Sequence, residues 1–516
     1  MGEIIAFVLY FAAMLGIGIF FFMKSKSSNE KDYFLGGRQM GPWVTAMSAQ
    51  ASDMSGWLLM GLPGSILAFG LGQAWIGIGL AIGTAANWIF TAKRLRKFSA
   101  AAGDAITVPQ YLSNRFASKN PVLQIVCAVI FLVFFTVYVA SSFVAGVTVF
   151  QSVFDISKDA ALLIFAAIII VYTFLGGFKA VCWTDFFQGM LILVALLAVP
   201  IVIVCTRGDE LGSEAALFNL KTLHSYYENG ADYPFVKNLF AASWQEIVSG
   251  LAWGLGYFGM PHIIVRFMSI KKASMVKKSA TVAIIWVVLS LGAAIVIAYF
   301  GRLLMGQELL GISSIPEKCV ASTQDRVFIE LARDLFPGFI AGILMAAIIA
   351  AAMSTADSQL LVASSSFTSD IYKPVFRKKA SDKEMLWVGR VVVLAVSVIA
   401  FFIARSNGDG VQAIMNLVSN AWAGFGAAFG PVIILSLFWR RFTYPAAVCG
   451  IITGGATVVA WIALGLSAAD KTGIYELVPG FAVCLIVCVV VSLITKAPAK
   501  EVMDIFDKAT DKNYEE

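Results

Sequence analysis

The chain has 516 residues, of which 59% are hydrophobic and 14% charged, with 40 Phe and 12 Trp. Together with a mean hydropathy of +0.82, this excludes a string of soluble domains and points to one polytopic membrane domain. The net charge of +6 is a matter of topology rather than a nucleic-acid footprint, and the two histidines, His224 and His262, are too few and too far apart for a metal site.

Apolar runs long enough to cross a bilayer as helices fall at residues 2–23, 40–69, 72–92, 121–150, 159–177, 183–206, 239–264, 279–301, 335–365, 386–404, 412–437, 443–466 and 478–495, predicting thirteen spans. The first run has Glu3 near its start and neither a basic leader nor a small-residue cleavage pattern, so it reads as a retained helix. With the N-terminus outside, the segments 24–39, 93–120, 178–182, 265–278, 366–385, 438–442 and 496–516 lie inside and hold 27 of the 38 Lys and Arg. That excess predicts an N-out, C-in chain. The two long outside stretches, 207–238 and 302–334, have room for short amphipathic helices. The stretch 496–516, ending in Glu515-Glu516, reads as a solvated cytoplasmic tail. Seven cysteines, mostly in apolar runs and without metal-ligand spacing, read as small buried hydrophobes.

The second run is unlike a plain lipid-facing helix. It contains Ala51-Ser52-Asp53-Met54-Ser55-Gly56-Trp57, then Gly61-Leu62-Pro63-Gly64. A charged side chain at bilayer depth costs roughly 2.5–3.5 kcal/mol, so Asp53 is expected to face a cavity or an ion path. Gly and Pro loosen the helix, and freed carbonyls are tolerated only where protein, water or an ion satisfies them. The seventh run is interrupted in the same way by Trp253-Gly254-Leu255-Gly256-Tyr257-Phe258-Gly259-Met260-Pro261-His262. Setting the first run aside, runs 2–6 and 7–11 form two groups of five, each beginning with a broken helix. An odd number of spans makes the groups oppositely oriented, the pattern of an inverted-repeat transporter with its site at the breaks. The expected organisation is one domain: an added helix at 2–23, repeats at 40–206 and 239–437, two added helices at 443–495, and the tail at 496–516.

The ninth run contains Ala351-Ala352-Met353-Ser354-Thr355-Ala356-Asp357-Ser358. Ser354 and Thr355 stand three and four residues after Ala351, on the face of its carbonyl. With the carbonyls of Ala51 and Met54 they give five neutral oxygens, a set that suits sodium, and Asp53 nearby either stabilises the charge or holds the break open. Asp185 and Asp357, with Ser358, form a candidate second cation or proton site, against a solvated, interfacial reading that is favoured for Asp185. Trp57, Tyr138, Trp253 and Tyr257 lie near the breaks and can wall a pocket for a small zwitterion.

Together with Phe34-Leu35-Gly36-Gly37-Arg38 and Ala423-Gly424-Phe425-Gly426-Ala427-Ala428-Phe429-Gly430-Pro431, these motifs resemble the sodium/solute symporter family nearly end to end. The resemblance implies an all-α LeuT-type fold with thirteen helices, and sodium-coupled uptake by alternating access. L-Proline is the cargo of the members these motifs most resemble. It places sodium at Ala51, Met54, Ala351, Ser354 and Thr355, with Asp53 essential beside it and Ser55 and Gly56 in the adjoining break. It places proline near Ser52, Trp57, Gly61, Tyr138, Trp253, Tyr257 and Pro261. Arg38 matches a position tied to cytoplasmic-side coupling. Asp357 and Ser358 occupy variable positions near a second sodium site of some sialic-acid-transporting members, and one sodium per proline is favoured. A monomer in the bacterial cytoplasmic membrane, with no nucleic-acid partner and no enzymatic chemistry, is expected. The alternatives are another small solute, such as a different amino acid or pantothenate, and less readily a transporter-like sensor or channel.

Overall fold

The computed structural model describes residues 1–24, 29–175, 177–218, 225–228, 231–233, 236, 238–309, 318–320, 323–406, 411–511 and 513–514. His224 and Glu515-Glu516 lie outside the described residues. Lipid offers the backbone no hydrogen bonds, so apolar runs must fold as helices, and each predicted run does so. Eleven helices among the described residues are long and apolar enough to cross a membrane. The runs at 40–69 and 159–177 are the broken pair Pro42–Met54 and Leu62–Phe69, and the helix Lys158–Leu175.

The helix Gly338–Ser366 is the hub. It packs against Gly2–Lys24, Pro42–Met54, Val122–Phe154, Phe178–Phe218 and Asp382–Ser406, and its most apolar stretch is 83% buried, against 28% for the peripheral Leu477–Ile494. Outward-facing Phe90, Leu163, Val194, Ile285, Phe402 and Ile486 form the apolar belt that a bilayer would cover. Helix Ala74–Ala86 crosses Trp244–Gly256 glycine to glycine: a Cβ on Gly83 would lie 2.4 Å from the Cα of Gly254. Such small-residue crossings let two backbones pack directly.

The segments rich in Lys and Arg gather at one end of the molecule. Met40 pairs with Ile270 as a short parallel bridge, Thr107 donates to Asp370 at 3.0 Å, and Glu30 accepts from Ser369 at 2.5 Å. The terminal stretch is more than a solvated tail. It folds into the helix Lys500–Thr510, which buries Val502, Phe506 and Ala509. Phe506 meets Phe98 edge-on at 5.3 Å, and Arg115 donates to the Val502 carbonyl at 3.2 Å. At the opposite end, strands Ser225–Glu228, Ala231–Tyr233 and Lys318–Val320 form a small mixed sheet joining the stretches 207–238 and 302–334. The expected room for short amphipathic helices is taken up in part by Val327–Leu335, which buries Val327, Phe328 and Leu331; the three- and four-residue strands are too short to leave a pattern in the sequence.

Candidate functional site

The first break follows from the chain's own residues. Pro42–Met54 ends where Ser55 turns to φ 35°, ψ −172°, a costly conformation for a residue with a Cβ. The helix restarts with a wide turn over Trp57–Gly61, in which the Leu62 amide reaches back to the Trp57 carbonyl. Gly56 lies against the neighbouring helix so closely that a Cβ would fall 2.4 Å from that of Ala145. The last carbonyls before the break, including that of Met54, have no partner in their own helix.

The hub helix meets this break. The Ser354 hydroxyl donates to the Ala51 carbonyl at 2.7 Å and approaches its own Ala351 carbonyl at 3.1 Å. The Thr355 hydroxyl accepts from the Ser55 amide at 3.0 Å. Ala51, Ala351, Ser354 and Thr355 are all fully buried, so four members of the expected oxygen set come together in a dry interior. Ser52 bonds back to its own turn, donating to Ala49 at 3.2 Å, and the Ser55 hydroxyl accepts from the Trp57 amide at 3.2 Å.

Asp53 points elsewhere than toward the hub hydroxyls. Its Oδ2 accepts from the Tyr257 hydroxyl at 2.5 Å, and its carbonyl accepts from the Tyr138 hydroxyl at 3.4 Å. Tyr257 is itself the first residue past the helix Trp244–Gly256, and Pro261 starts the continuing half Pro261–Ser269. A carboxylate at one break is therefore bonded to a phenol at the other, and Asn87 braces Tyr257 by donating to its carbonyl at 2.9 Å.

The aromatics form a continuous layer. Trp57 stacks on Trp253 with centroids 5.8 Å apart; Trp253 stacks in turn on Tyr475 at 5.2 Å and Trp422 at 6.2 Å. Tyr257 meets Trp422 edge-on at 5.1 Å. Trp422 and Tyr475 were not among the expected residues; Trp422 stands one position before the glycine motif at 423–431, and Tyr475 carries no sequence signal. A Cβ on Gly61 would lie 2.9 Å from Trp57 and 3.2 Å from the Met415 sulfur. Met415 also lines a cavity of about 800 Å³, with Ser65, Phe69, Asn416, Ser419 and Ser467. That cavity lies at the end of the molecule opposite the basic segments. The Trp57 indole N–H is buried without a hydrogen-bond partner.

Arg38 lies at the basic end, away from the sodium-type cluster. Gly36 and Gly37 at φ +63° and +60° make a left-handed turn that glycine enters without strain, and this aims Arg38 into a seam. It donates to Asp104 at 2.7 Å, Ser99 at 3.1 Å, and the carbonyls of Met268 at 2.5 Å and Ala105 at 2.8 Å. Burial and nearby Arg96 push the guanidinium down to about 10, so it stays charged at neutral pH. Burial would raise the Asp104 carboxyl, but bonding to Lys31 and the charge of Arg38 outweigh it and hold it below the usual carboxylate range. The bond is therefore intact at neutral and mildly acid pH and weakens only as pH falls through that lowered value.

Asp185 is not solvated at an interface. It is fully buried and paired with Arg266, whose Nη2 lies 3.1 Å from its Oδ2. The expected inside segment 265–278 began too early: Arg266 belongs to the buried half-helix Pro261–Ser269 rather than to a solvent-facing loop. Asp357 and Ser358 are buried in the same cluster, with Ser358 donating to Asp357 at 3.4 Å.

The family model of the sodium:solute symporters matches residues 33–454. The chain is 42% identical to the sodium/proline symporter of Haemophilus influenzae over 100% of this chain and 98% of that protein. It is 44% identical to the high-affinity proline transporter PutP of Bacillus subtilis over 96% of this chain and 99% of that one. Among solved structures, a substrate-bound outward-open Na+-coupled sialic acid symporter shares the fold at a TM-score of 0.75 and 20% identity, covering 97% of this chain and 99% of that chain. The transporter Mhp1 matches at a TM-score of 0.52 and 13% identity over 94% and 99%. With two helices broken at facing positions and a family match across most of its length, the chain belongs to the sodium:solute symporter family.

Proposed function

We propose that this protein is a secondary transporter that carries L-proline into the cell with sodium, by alternating access. The observation that carries the reading is the meeting of both helix breaks with the hub helix, through Asp53–Tyr257 on one side and Ser354 and Thr355 against Ala51 and Ser55 on the other. Sodium at Ala51, Met54, Ala351, Ser354 and Thr355 would replace these direct bonds and fix the broken helix. Proline would lie between the sodium and the aromatic layer, near Ser52, Trp57, Gly61, Tyr138, Trp253, Tyr257 and Pro261. The unpartnered Trp57 N–H supports a ligand acceptor there, since buried donors are rarely left unsatisfied. The identity of proline rests on the curated relatives, which are named for it over essentially their whole length.

The same reading takes the thirteen helices as an inverted five-plus-five LeuT-type core, N-out and C-in, with added helices at 2–23 and 443–495, working as a monomer in the bacterial cytoplasmic membrane. The large cavity then faces outward and the Arg38 seam closes the inner end. One sodium moving down 100 mV releases roughly 2.3 kcal/mol. A tenfold sodium gradient adds about 1.4 kcal/mol, and together these sustain accumulation of about several hundredfold.

The test is labelled L-proline uptake into proteoliposomes with and without an inward sodium gradient, with pantothenate and other amino acids as competitors. Sodium-dependent accumulation above equilibrium, displaced only by proline and close analogues, supports the reading. Sodium-driven uptake of another solute in the same vesicles retires proline and keeps the coupling. Two variants refine it. Gly61→Val inserts a branched side chain against Trp57 and Met415, and overpacking of about 1–3 kcal/mol should weaken proline binding about tenfold or more while sodium binding alone is retained. Arg38→Gln removes the charge from the inner seam. It should slow uptake about tenfold with little change in proline affinity, because the loss of about 1.5–3 kcal/mol falls on closure rather than on the pocket. Equal losses of affinity and rate would remove the gating role.

A further inference from the structure

The sodium reading leaves one fully membrane-buried guanidinium without a task. Arg266 sits five residues after Pro261, in the half-helix that follows the second break, and is 1% exposed. Four elements converge on it. Its Nη2 lies 3.1 Å from Asp185 Oδ2 on Phe178–Phe218 and also bonds the Ser358 hydroxyl on the hub helix. Its Nε donates to the Ser48 hydroxyl at 3.1 Å on Pro42–Met54, and its Nη1 bonds the His262 carbonyl. Ser48 donates onward to Asp185 Oδ2 at 2.7 Å, and the Phe178 ring lies 5.5 Å from the guanidinium carbon.

Two buried carboxylates, Asp185 and Asp357, with the hydroxyls of Ser48 and Ser358, are an oxygen set of the kind hard cations take. The oxygen set is real, but its centre is filled by the chain's own cation. We propose that Arg266 is a tethered cation occupying the second cation site, and that it thereby holds coupling at one sodium per substrate molecule. The inference rests on the sodium-symport reading and decides its stoichiometry.

The charges around Arg266 fit this role. The cluster brings two carboxylates to one guanidinium, and Asp185 Oδ1 and Asp357 Oδ2 have no hydrogen-bond partner. Tyr10, which accepts from Gln188 at 3.0 Å, Tyr172 and the His262 ring are buried as well. A guanidinium is planar, permanently charged and weakly hydrated, which makes it the side chain best suited to replace an ion in a dry site. Unlike sodium it stays with the protein through the cycle. It gives structural charge neutralisation in every state and draws nothing from the sodium gradient.

Proline-coupled currents in proteoliposomes give the stoichiometry from the reversal potential. Wild-type protein should move one sodium per proline, and a value of two overturns the proposal. Arg266→Ala vacates the oxygen set, and the sodium Hill coefficient should rise from about one toward about two, the number of sites then open. Arg266→Lys, which keeps the charge, should remain at about one. A merely structural arginine would lower transport in both variants without moving the Hill coefficient. If Arg266→Ala does not insert, Arg266→Gln keeps bulk and hydrogen bonds and carries the same criterion. Protein that binds but does not cycle is read by sodium titration of its tryptophan fluorescence. A correctly inserted Arg266→Ala or Arg266→Gln that still binds sodium with a coefficient of about one overturns the proposal. Absence of any sodium-driven proline current in wild type instead retires the proline reading, and the count is then made with whichever solute does drive current.

Discussion

Asp53→Asn should lower the initial rate of sodium-driven proline uptake by about 100-fold or more, because two effects act together. The first is the bond from Tyr257 to Asp53 Oδ2 at 2.5 Å, which ties the two broken helices. A hydrogen bond to a charged group is worth about 1.5–3 kcal/mol, or about 10- to 150-fold. The second is the loss of the negative charge two residues along the chain from Ala51, whose carbonyl is proposed to bind sodium, in an interior where charges are little screened. Tyr257→Phe removes only the first and should cost about tenfold. The double variant should be little worse than Asp53→Asn alone, since residues sharing one bond are not additive. The check is labelled uptake at matched protein levels, with sodium titrated for each variant. Near-normal transport by Asp53→Asn would remove Asp53 from the mechanism. Additive losses would mean that the Asp53–Tyr257 bond is incidental to the role of either residue.

The parts of this site written in local chemistry were legible in the sequence. Asp53 among Ser52, Ser55 and Gly56 violates what a lipid-facing helix tolerates, and such a violation points to function wherever it occurs. The second break at residues 253–262 was visible for the same reason. The pairing between the breaks was not, because no spacing in the chain says that residue 53 meets residue 257, or that residue 185 meets residue 266. Arg266 was misassigned to a loop because hydropathy falls at a charged residue whether that residue leaves the membrane or is paired inside it. The favoured solvated reading of Asp185 failed with it: each charge taken singly looks interfacial, and together they are a buried pair. Among the basic residues counted toward sidedness, Arg38, Arg96, Arg115 and Arg266 are buried, so part of that signal reflects seams between helices rather than lipid headgroups. Trp422 was missed because an aromatic in an apolar span ordinarily needs no explanation, and Tyr475 because it stands in the connection between the last two spans.

Ser354→Ala and Thr355→Ala should raise the sodium concentration needed for half-maximal uptake, each by about tenfold, and leave the ranking of competing solutes unchanged. Both hydroxyls face the first break, Ser354 at 2.7 Å from the Ala51 carbonyl and Thr355 at 3.0 Å from the Ser55 amide. A buried oxygen removed from such a cluster leaves its partners unsatisfied at about 1–3 kcal/mol, and 1.4 kcal/mol is about tenfold in affinity. Proline selectivity should not follow, because the aromatic layer of Trp57, Trp253 and Tyr257 is not touched by either substitution. Thr355→Ser separates ligation from packing: it keeps the hydroxyl, loses only a methyl, and should stay within about threefold of wild type. The two alanine variants together should nearly eliminate sodium-driven uptake at any sodium concentration in which vesicles can be kept sealed. A loss of proline affinity at saturating sodium, with sodium half-saturation unmoved, would assign these hydroxyls to the substrate instead. The position of the hub helix argues against that outcome. Ser354 and Thr355 reach the carbonyl side of the break, where the first half-helix ends and its dipole is negative, and that end favours a cation over a ligand carboxylate.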